Sequence, residues 1–440
     1  MLFFSQTYLF IFLPLVLTFF YFSKFIKIDI TYLLILFSLI FYSWWNIYYL
    51  PLIIFSIIIN YNLSKGLIET NKNKKLLFIS IVFNIFILII FKYLDFIILN
   101  INSLFNTNIP EINLPFPLAL SFVTFQVIAF LVNCYDKEID YLKFKDFFLF
   151  IIFFPQLIAG PIVRYNYMHP QFKEKLNKVF NYSNFSLGFI ILIIGLIKKT
   201  IFADGLSIYV DYGFENYKDL DFISSWILSF SFTFQLYFDF SGYIDMATGS
   251  ALMLNILLPK NFNSPFKSLS IIDFWQRWHI TLSNFLTNYI YIPWAKSINN
   301  INFLKSMFII TIVFLIAGIW HGPSWTFVLF GLIHGLGIVI NHIFKRYNLS
   351  LNNFFSWFLT FNYINFSFIF FRAENINQAF EILKSMFSLN MIIELEKTLI
   401  FFKPSNLNFI IIFFLSFLIC FLFKNSSYLI ERYFDSQKIN

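Results

Sequence analysis

Charge is what this sequence has least of. Asp, Glu, Lys and Arg make up 12% of its 440 residues and 59% are hydrophobic, where a soluble domain carries about 25% charged residues. That deficit excludes a soluble globular protein and indicates an integral membrane protein. Cysteine is nearly absent. Cys134 and Cys420 lie next to or within apolar runs; they show no metal-ligand spacing, imply no disulfide framework, and read as small buried hydrophobes. Also missing are a G-x-S-x-G elbow, an H-E-x-x-H motif and a phosphate loop, which excludes the chemistries those motifs carry. The basic excess is only +8; in a polytopic chain it is the loop bias that sets orientation, not a nucleic-acid footprint. Met1–Gln6 lacks the basic region and small-residue cleavage site of a signal peptide, so the first apolar run is expected to be a retained span. With no soluble domain, low-complexity linker or solenoid repeat, residues 1–440 are expected to form one membrane domain whose motifs concentrate in about 150–375.

Long apolar runs are what the chain has instead. A bilayer crossing takes about 20 apolar residues. Candidate spans fall at 7–26, 30–60 (two, broken around Asn46 and Pro51), 76–99, 116–134, 146–163 and 184–203. Others fall at 222–258 (again two), 304–320, 324–343, 353–371 and 406–424. With the amphipathic segment 270–294, the expectation is an all-α polytopic membrane protein of about 11–13 membrane-embedded helices. The 65–75 loop carries Lys65, Lys72, Lys74 and Lys75 against Glu69 and should be cytoplasmic,. The acidic 204–221 loop and the 100–115 loop fit the outer side,.

Polar residues interrupt this pattern in a few places. Phe154–Arg164 ends an apolar run with two prolines, a glycine and Arg164, and Gln235–Asp245 inserts Asp239, Asp245 and Gly242 into another. Polar or non-helical backbone at membrane depth survives only where protein buries it or where it lines an aqueous cavity. Both readings, tight helix packing and a cavity, stay open for each motif alone.

Two histidines stand out. Asp273 and Arg277 are spaced i,i+4 for pairing along a helix,, and Trp275, Trp278, His279 and Leu282 fall on another face of the same helix,. The segment is too polar for a plain span and is expected to lie at the interface or re-enter the protein, with Trp275 and Trp278 as interfacial rings. His321 follows a membrane-length run and precedes Gly322-Pro323, which should end one helix and place Pro323 first in the next,. Histidine suits proton transfer from a hydroxyl near neutral pH, although a packing role is the alternative for any intramembrane histidine. His334, on the following helix, is left between those two readings, and His342 is expected to be interfacial. Metal binding by His279 and His321 lacks carboxylate or thiolate company,.

These residues resemble the motifs of the membrane-bound O-acyltransferase family, in its bacterial branch of alginate and peptidoglycan O-acetyltransferases. The matching stretches are Phe154–Arg164 (FPQLIAGPIVR), Tyr237–Ala247 (YFDFSGYIDMA), Asn261–Phe266 (NFNSPF), Asp273–Ser283 (DFWQRWHITLS), Trp320–Trp325 (WHGPSW), Gly331–Gly335 (GLIHG) and Phe370–Ala373 (FFRA). The resemblance implies a ring of tilted helices around a central tunnel, with His321 as the catalytic residue and His279 as a second essential or supporting group across it. Supporting positions on or beside these motifs are Asp273, Arg277, Trp278, Trp320, Asp239, Gln235, Asn263 and Arg164. It also implies an acyl thioester donor such as acetyl-CoA, no tightly bound cofactor or metal, a bacterial cytoplasmic (inner) membrane location and a partner transferase of the SGNH esterase-like type. Where family members carry Arg-Asp-Tyr and Pro-Leu-Gly-Gly after the RWH helix, this chain has Thr287-Asn288-Tyr289 and Pro293-Trp294-Ala295-Lys296, so local salt bridges or donor contacts there differ.

The expected activity is O-acetylation of a cell-envelope polysaccharide, peptidoglycan or alginate-like. The related D-alanyl transfer to teichoic acids shares both histidines and is the nearest alternative. A solute transporter also uses broken helices and buried charge, but the chain lacks an internal two-fold hydropathy repeat,. A scaffold without chemistry would tolerate loss of both histidines.

Overall fold

A computed structural model describes residues 1–23, 25, 29–174, 179–388 and 407–439, with side chains up to Asp435. The ends of the expected spans 7–26 and 406–424 touch residues outside that set. The described residues are helices and loops without a strand. Seven helices are long and apolar enough to cross a membrane, by length and composition: Ile47–Glu69, Lys74–Phe105, Tyr182–Glu215, Phe303–His321, Trp325–Arg346, Asn353–Arg372 and Leu407–Asp435. Tyr8–Phe22, Ile30–Ser43 and Leu120–Tyr135 are shorter apolar helices. This is a multi-pass membrane protein.

The asparagine-rich loops have a local purpose. Asn73, Asn302, Asn352 and Asn375 each cap a helix, accepting from the backbone N–H of Leu76, Lys305, Phe355 and Gln378. Such caps are worth about 1 kcal/mol each. Asn46 caps the turn that enters Ile47–Glu69, and Pro51 sits in that helix's first turn, so the break expected at 46–51 is present.

Two expected spans differ. Instead of one helix through 146–163, Phe144–Ile152 stops at Phe153, and the four-residue helix Phe154–Leu157 follows with Pro155 in its first turn. Proline removes a helical donor and clashes with the preceding turn. Instead of two helices in 222–258, one continuous helix runs Phe222–Met253. Gly242 does not break it: a Cβ there would lie 2.9 Å from the Gly195 carbonyl, so this glycine permits close approach of two backbones,.

The chain divides into two compact units, Met1–Ile193 with Tyr243–Pro259, and Ile194–Gly242 with Lys260–Asn440. In the first, Phe3, Tyr8, Phe12, Phe41 and Phe154 form a buried ring cluster, and Tyr8 donates to Ser250 at 2.7 Å. Asn60 and Asn84 exchange amide hydrogen bonds of 3.1 and 2.7 Å between neighbouring helices.

The second unit has chemically distinct ends. At one, Arg372 pairs with Asp211 at 2.8 Å and Gln378 donates to the Phe214 carbonyl at 2.7 Å. At the other, Trp357 donates to the Phe266 carbonyl, Lys267 to the Phe423 carbonyl, and Lys260 pairs with Glu431. Trp357 and Arg372 lie on one helix, about 22 Å apart along its axis,. Lys345, Arg346, Lys424 and Arg432 add to the second end, making it basic.

Candidate active site

Both histidines belong to the second unit, and each occupies a break in helical structure. The RWH segment is not one continuous helix. Ile271–Trp275 ends, a turn follows, and Ile280–Phe285 begins with His279 as its N-cap residue at φ 44°, ψ 52°. That left-handed conformation is uncommon for a residue with a Cβ and is held only by its surroundings. Here the surroundings are the NFNSPF loop: Ile280 N–H donates to the Asn261 carbonyl and Asn263 N–H to the Arg277 carbonyl. Trp275 and Trp278 are each 5% exposed. They are packing residues rather than interfacial rings, because amphipathic spacing cannot distinguish a lipid boundary from a protein groove.

Asn261 also fixes the chemistry of His279. Its Oδ1 accepts from Thr281 N–H at 3.1 Å and from the Thr281 hydroxyl at 2.9 Å. A backbone N–H can only donate, so the atom it meets is the amide oxygen. His279 Nδ1 lies 3.3 Å from that oxygen and must therefore carry the proton. The neutral imidazole then has its lone pair on Nε2. The ring is only 1% exposed, and burial of this kind disfavours the charged form. Phe240 crosses the ring edge-on at 4.8 Å.

His321 is the last residue of Phe303–His321. Pro323 does not open the next helix; Ser324 caps it, accepting from Thr326 N–H, and Trp325 comes first. A Cβ at Gly322 would collide with the Phe327 ring. That ring, with Trp320, Phe330 and Phe371, surrounds His321 at centroid distances of 4.9–6.5 Å. His321 remains half-buried. The two helices flanking it touch backbone to backbone: a Cβ at Gly318 would strike the Phe327 carbonyl and Gly331, and one at Gly331 the Phe314 carbonyl.

Trp320 is the ring common to both sites, 6.5 Å from His279 and 4.9 Å from His321. Two residues 42 positions apart in sequence are thus brought to one aromatic side chain. Phe371 precedes Arg372, so His321 lies toward the Arg372–Asp211 end.

The remaining expected positions divide clearly. Asp273 and Arg277 form their i,i+4 pair at 2.7 Å, and Arg277 also reaches the Asn263 carbonyl at 3.5 Å. Trp278 stacks on Phe274 and meets Phe262. Gln235 Oε1 is buried and has no hydrogen-bond partner among the described residues. Asp239 is exposed and shares Lys199 with Asp204. Arg164 is exposed and belongs to the first unit. His334 resolves as structural: Trp275 Nε1–H donates to its Nδ1 at 3.2 Å, so Nε2 carries the proton and meets Ser367 Oγ at 2.9 Å. Asn261 was not among the expected residues, although its motif was; the signal was a second asparagine two positions from Asn263.

The profile of MBOAT, the membrane-bound O-acyltransferase family, matches residues 36–373. The chain belongs to the membrane-bound O-acyltransferase family. It is 42% identical over 392 residues to a peptidoglycan O-acetyltransferase of Helicobacter pylori, covering 81% of this chain and 73% of the relative. A probable alginate O-acetylase of Azotobacter vinelandii is 32% identical over 88% of this chain and 78% of its own length. A teichoic acid D-alanyltransferase of Bacillus subtilis is 26% identical over 54% of this chain and 62% of its own. The protein is therefore an acyltransferase of the membrane-bound O-acyltransferase family.

Proposed function

We propose that this enzyme O-acetylates a cell-envelope polysaccharide, with peptidoglycan the first candidate and an alginate-like polymer the second. The observation that carries the reading is the pair of histidines, presented from separate helix breaks, that meet at Trp320. The Helicobacter relative supports the peptidoglycan choice over alginate by its higher identity. We assign the protein to the bacterial cytoplasmic membrane. The basic end of the second unit is assigned to the cytoplasm by the positive-inside bias, and His321 to the outer half.

In the proposed reaction an acetyl thioester, acetyl-CoA or a carrier-bound equivalent, enters from the cytoplasmic side. His321 takes the proton of an acceptor hydroxyl as its oxygen bonds to the acetyl carbon. The carbon–sulfur bond breaks, and the departing thiolate recovers that proton from the imidazolium. His279, neutral with its lone pair on Nε2, serves as the second polar group. Asp273, Arg277, Asn263 and Trp278 hold the segment that carries it, and Gln235 is a further substrate-contacting candidate. Delivery to the polymer passes through an SGNH-type partner.

The test is a deletion strain complemented with His321→Ala, with O-acetyl measured on purified peptidoglycan and on secreted polysaccharide. Loss of acetyl at unchanged membrane level of the protein is expected. Wild-type acetyl content would sink the proposal, and loss of D-alanine esters from teichoic acid would move it to that branch. Solute uptake independent of any thioester would make it a transporter.

A further inference from the structure

At the basic end of the second unit, a pocket of about 240 Å³ opens beside the last apolar helix. Phe202, Phe238, Ile419 and Cys420 form its walls, Lys198 and Lys424 are its charged points, and Ser264, Asn425 and Ser426 add neutral polar groups. Among the described residues no Asp or Glu lines it. Lys198 is unusual in position. It lies inside the Tyr182–Glu215 span, at the start of the π-helical stretch Lys198–Ala203. A cation at membrane depth is costly and marks function by default, and π-helical stretches are frequent at functional sites.

The cations around the pocket are held in place. Lys198 Nζ reaches Ser426 Oγ at 3.4 Å and lies 5.8 Å from the Tyr237 ring. Lys424 follows the apolar helix Leu407–Leu422 directly and holds its ammonium 3.8 Å from the Tyr428 ring centroid. Lys267 donates to the Phe423 carbonyl at 2.8 Å. At the mouth, Ile197, Phe423 and Leu429 are exposed. A mouth of exposed apolar side chains opens toward hydrocarbon, and the end of an apolar span is the depth at which lipid phosphates sit.

We propose that this pocket binds an anionic phospholipid of the cytoplasmic leaflet, one acyl chain among Phe202, Phe238 and Ile419 and the phosphate between Lys198 and Lys424. The volume suits a single chain segment and falls short of the roughly 300–1,000 Å³ of a site enclosing a whole drug-sized ligand,. A nucleotide-headed thioester has the same phosphate-plus-chain chemistry, but its head requires a mouth open to water. The lipid would fix the end of the last span against the loop that carries Lys267.

The experiment uses the full chain purified in detergent. Thermal unfolding is followed while phosphatidylglycerol, phosphatidylcholine of the same chains, or coenzyme A is added; native mass spectrometry counts retained lipid. Phosphatidylglycerol should raise the melting temperature and stay bound, and phosphatidylcholine should do neither. Lys424 is exposed, so Lys424→Gln should fold and weaken phosphatidylglycerol binding about fivefold, with Lys424→Glu weakening it more. Lys198→Gln added to Lys424→Gln should bring the loss to about 25-fold. Equal effects of the two lipids, or an unchanged affinity in Lys424→Gln, would overturn the proposal. Stabilisation by coenzyme A that depends on Lys424, without a response to phosphatidylglycerol, would reassign the pocket to the acyl donor.

Discussion

His279 and His334 are equally buried, 1% and 0% exposed, and lie in the same unit, yet their environments prescribe opposite protonation patterns. Trp275 can only donate, so it forces the lone pair of His334 onto Nδ1 and the proton onto Nε2, which is spent on Ser367,. Asn261 can only accept at Oδ1, so it forces the proton of His279 onto Nδ1 and the lone pair onto Nε2,. The first ring is a brace between three helical segments. The second is held in one tautomer, with its lone pair on Nε2,. What separates these two histidines is therefore not depth but which neighbour fixes which nitrogen.

Substitutions should pull this contrast apart, beginning with the proposed reacting group. His321→Ala should lower acyl transfer about 10²–10⁴-fold, the usual worth of a positioned proton-transfer group, with the protein still present in the membrane. Next, Asn261→Ala should lower transfer about 10–100-fold, as for other partners that orient an imidazole. Asn261→Asp should rescue much of that loss, because a carboxylate accepts the same three hydrogen bonds. It also favours the protonated ring, so the acid limb of the pH–rate profile should move to higher pH than in wild type. An unshifted profile with full activity in Asn261→Ala would show that the tautomer is irrelevant.

The opposite pattern is expected at His334. His334→Gln leaves the Trp275 and Ser367 groups poorly matched and should destabilise the protein by about 1–3 kcal/mol, read as a lower melting temperature in detergent. Turnover per folded molecule should change far less than in Asn261→Ala. The smallest effect belongs to Asp273→Asn. Its ion pair with Arg277 is part-exposed, so no more than about 1 kcal/mol of stability is at stake.

Much of this was legible in the sequence where the signal is local. Gly322-Pro323 announces a helix end at His321 because neither residue continues a helix, and only the cap was misplaced, by the hydroxyl of Ser324. The Asp273–Arg277 pair follows from spacing alone. The kink at His279 was not legible, since Gln276–Trp278 contain no glycine or proline and a left-handed histidine leaves no compositional mark. Its cause is a loop 18 residues away, and pairing between segments is a tertiary fact. Gly242 misled in the other direction: read as a break, it is a contact between helix backbones. The tryptophans were placed at the membrane interface because the periodicity that faces lipid is the same one that faces a protein groove.

The glycines beside His321 carry a consequence for how this gene tolerates change. Gly318 and Gly331 face each other's backbone, and a methyl group on either would push apart the two helices that present His321. A saturation screen for loss of acetylation should therefore score alanine at 318 or 331 nearly as severely as alanine at 321. Ranked by sensitivity alone, such a screen would not separate spacing from chemistry; because both clashes are with backbone carbonyls, only the melting temperature, lowered by alanine at 318 or 331 and not at 321, would reveal those two positions as spacers.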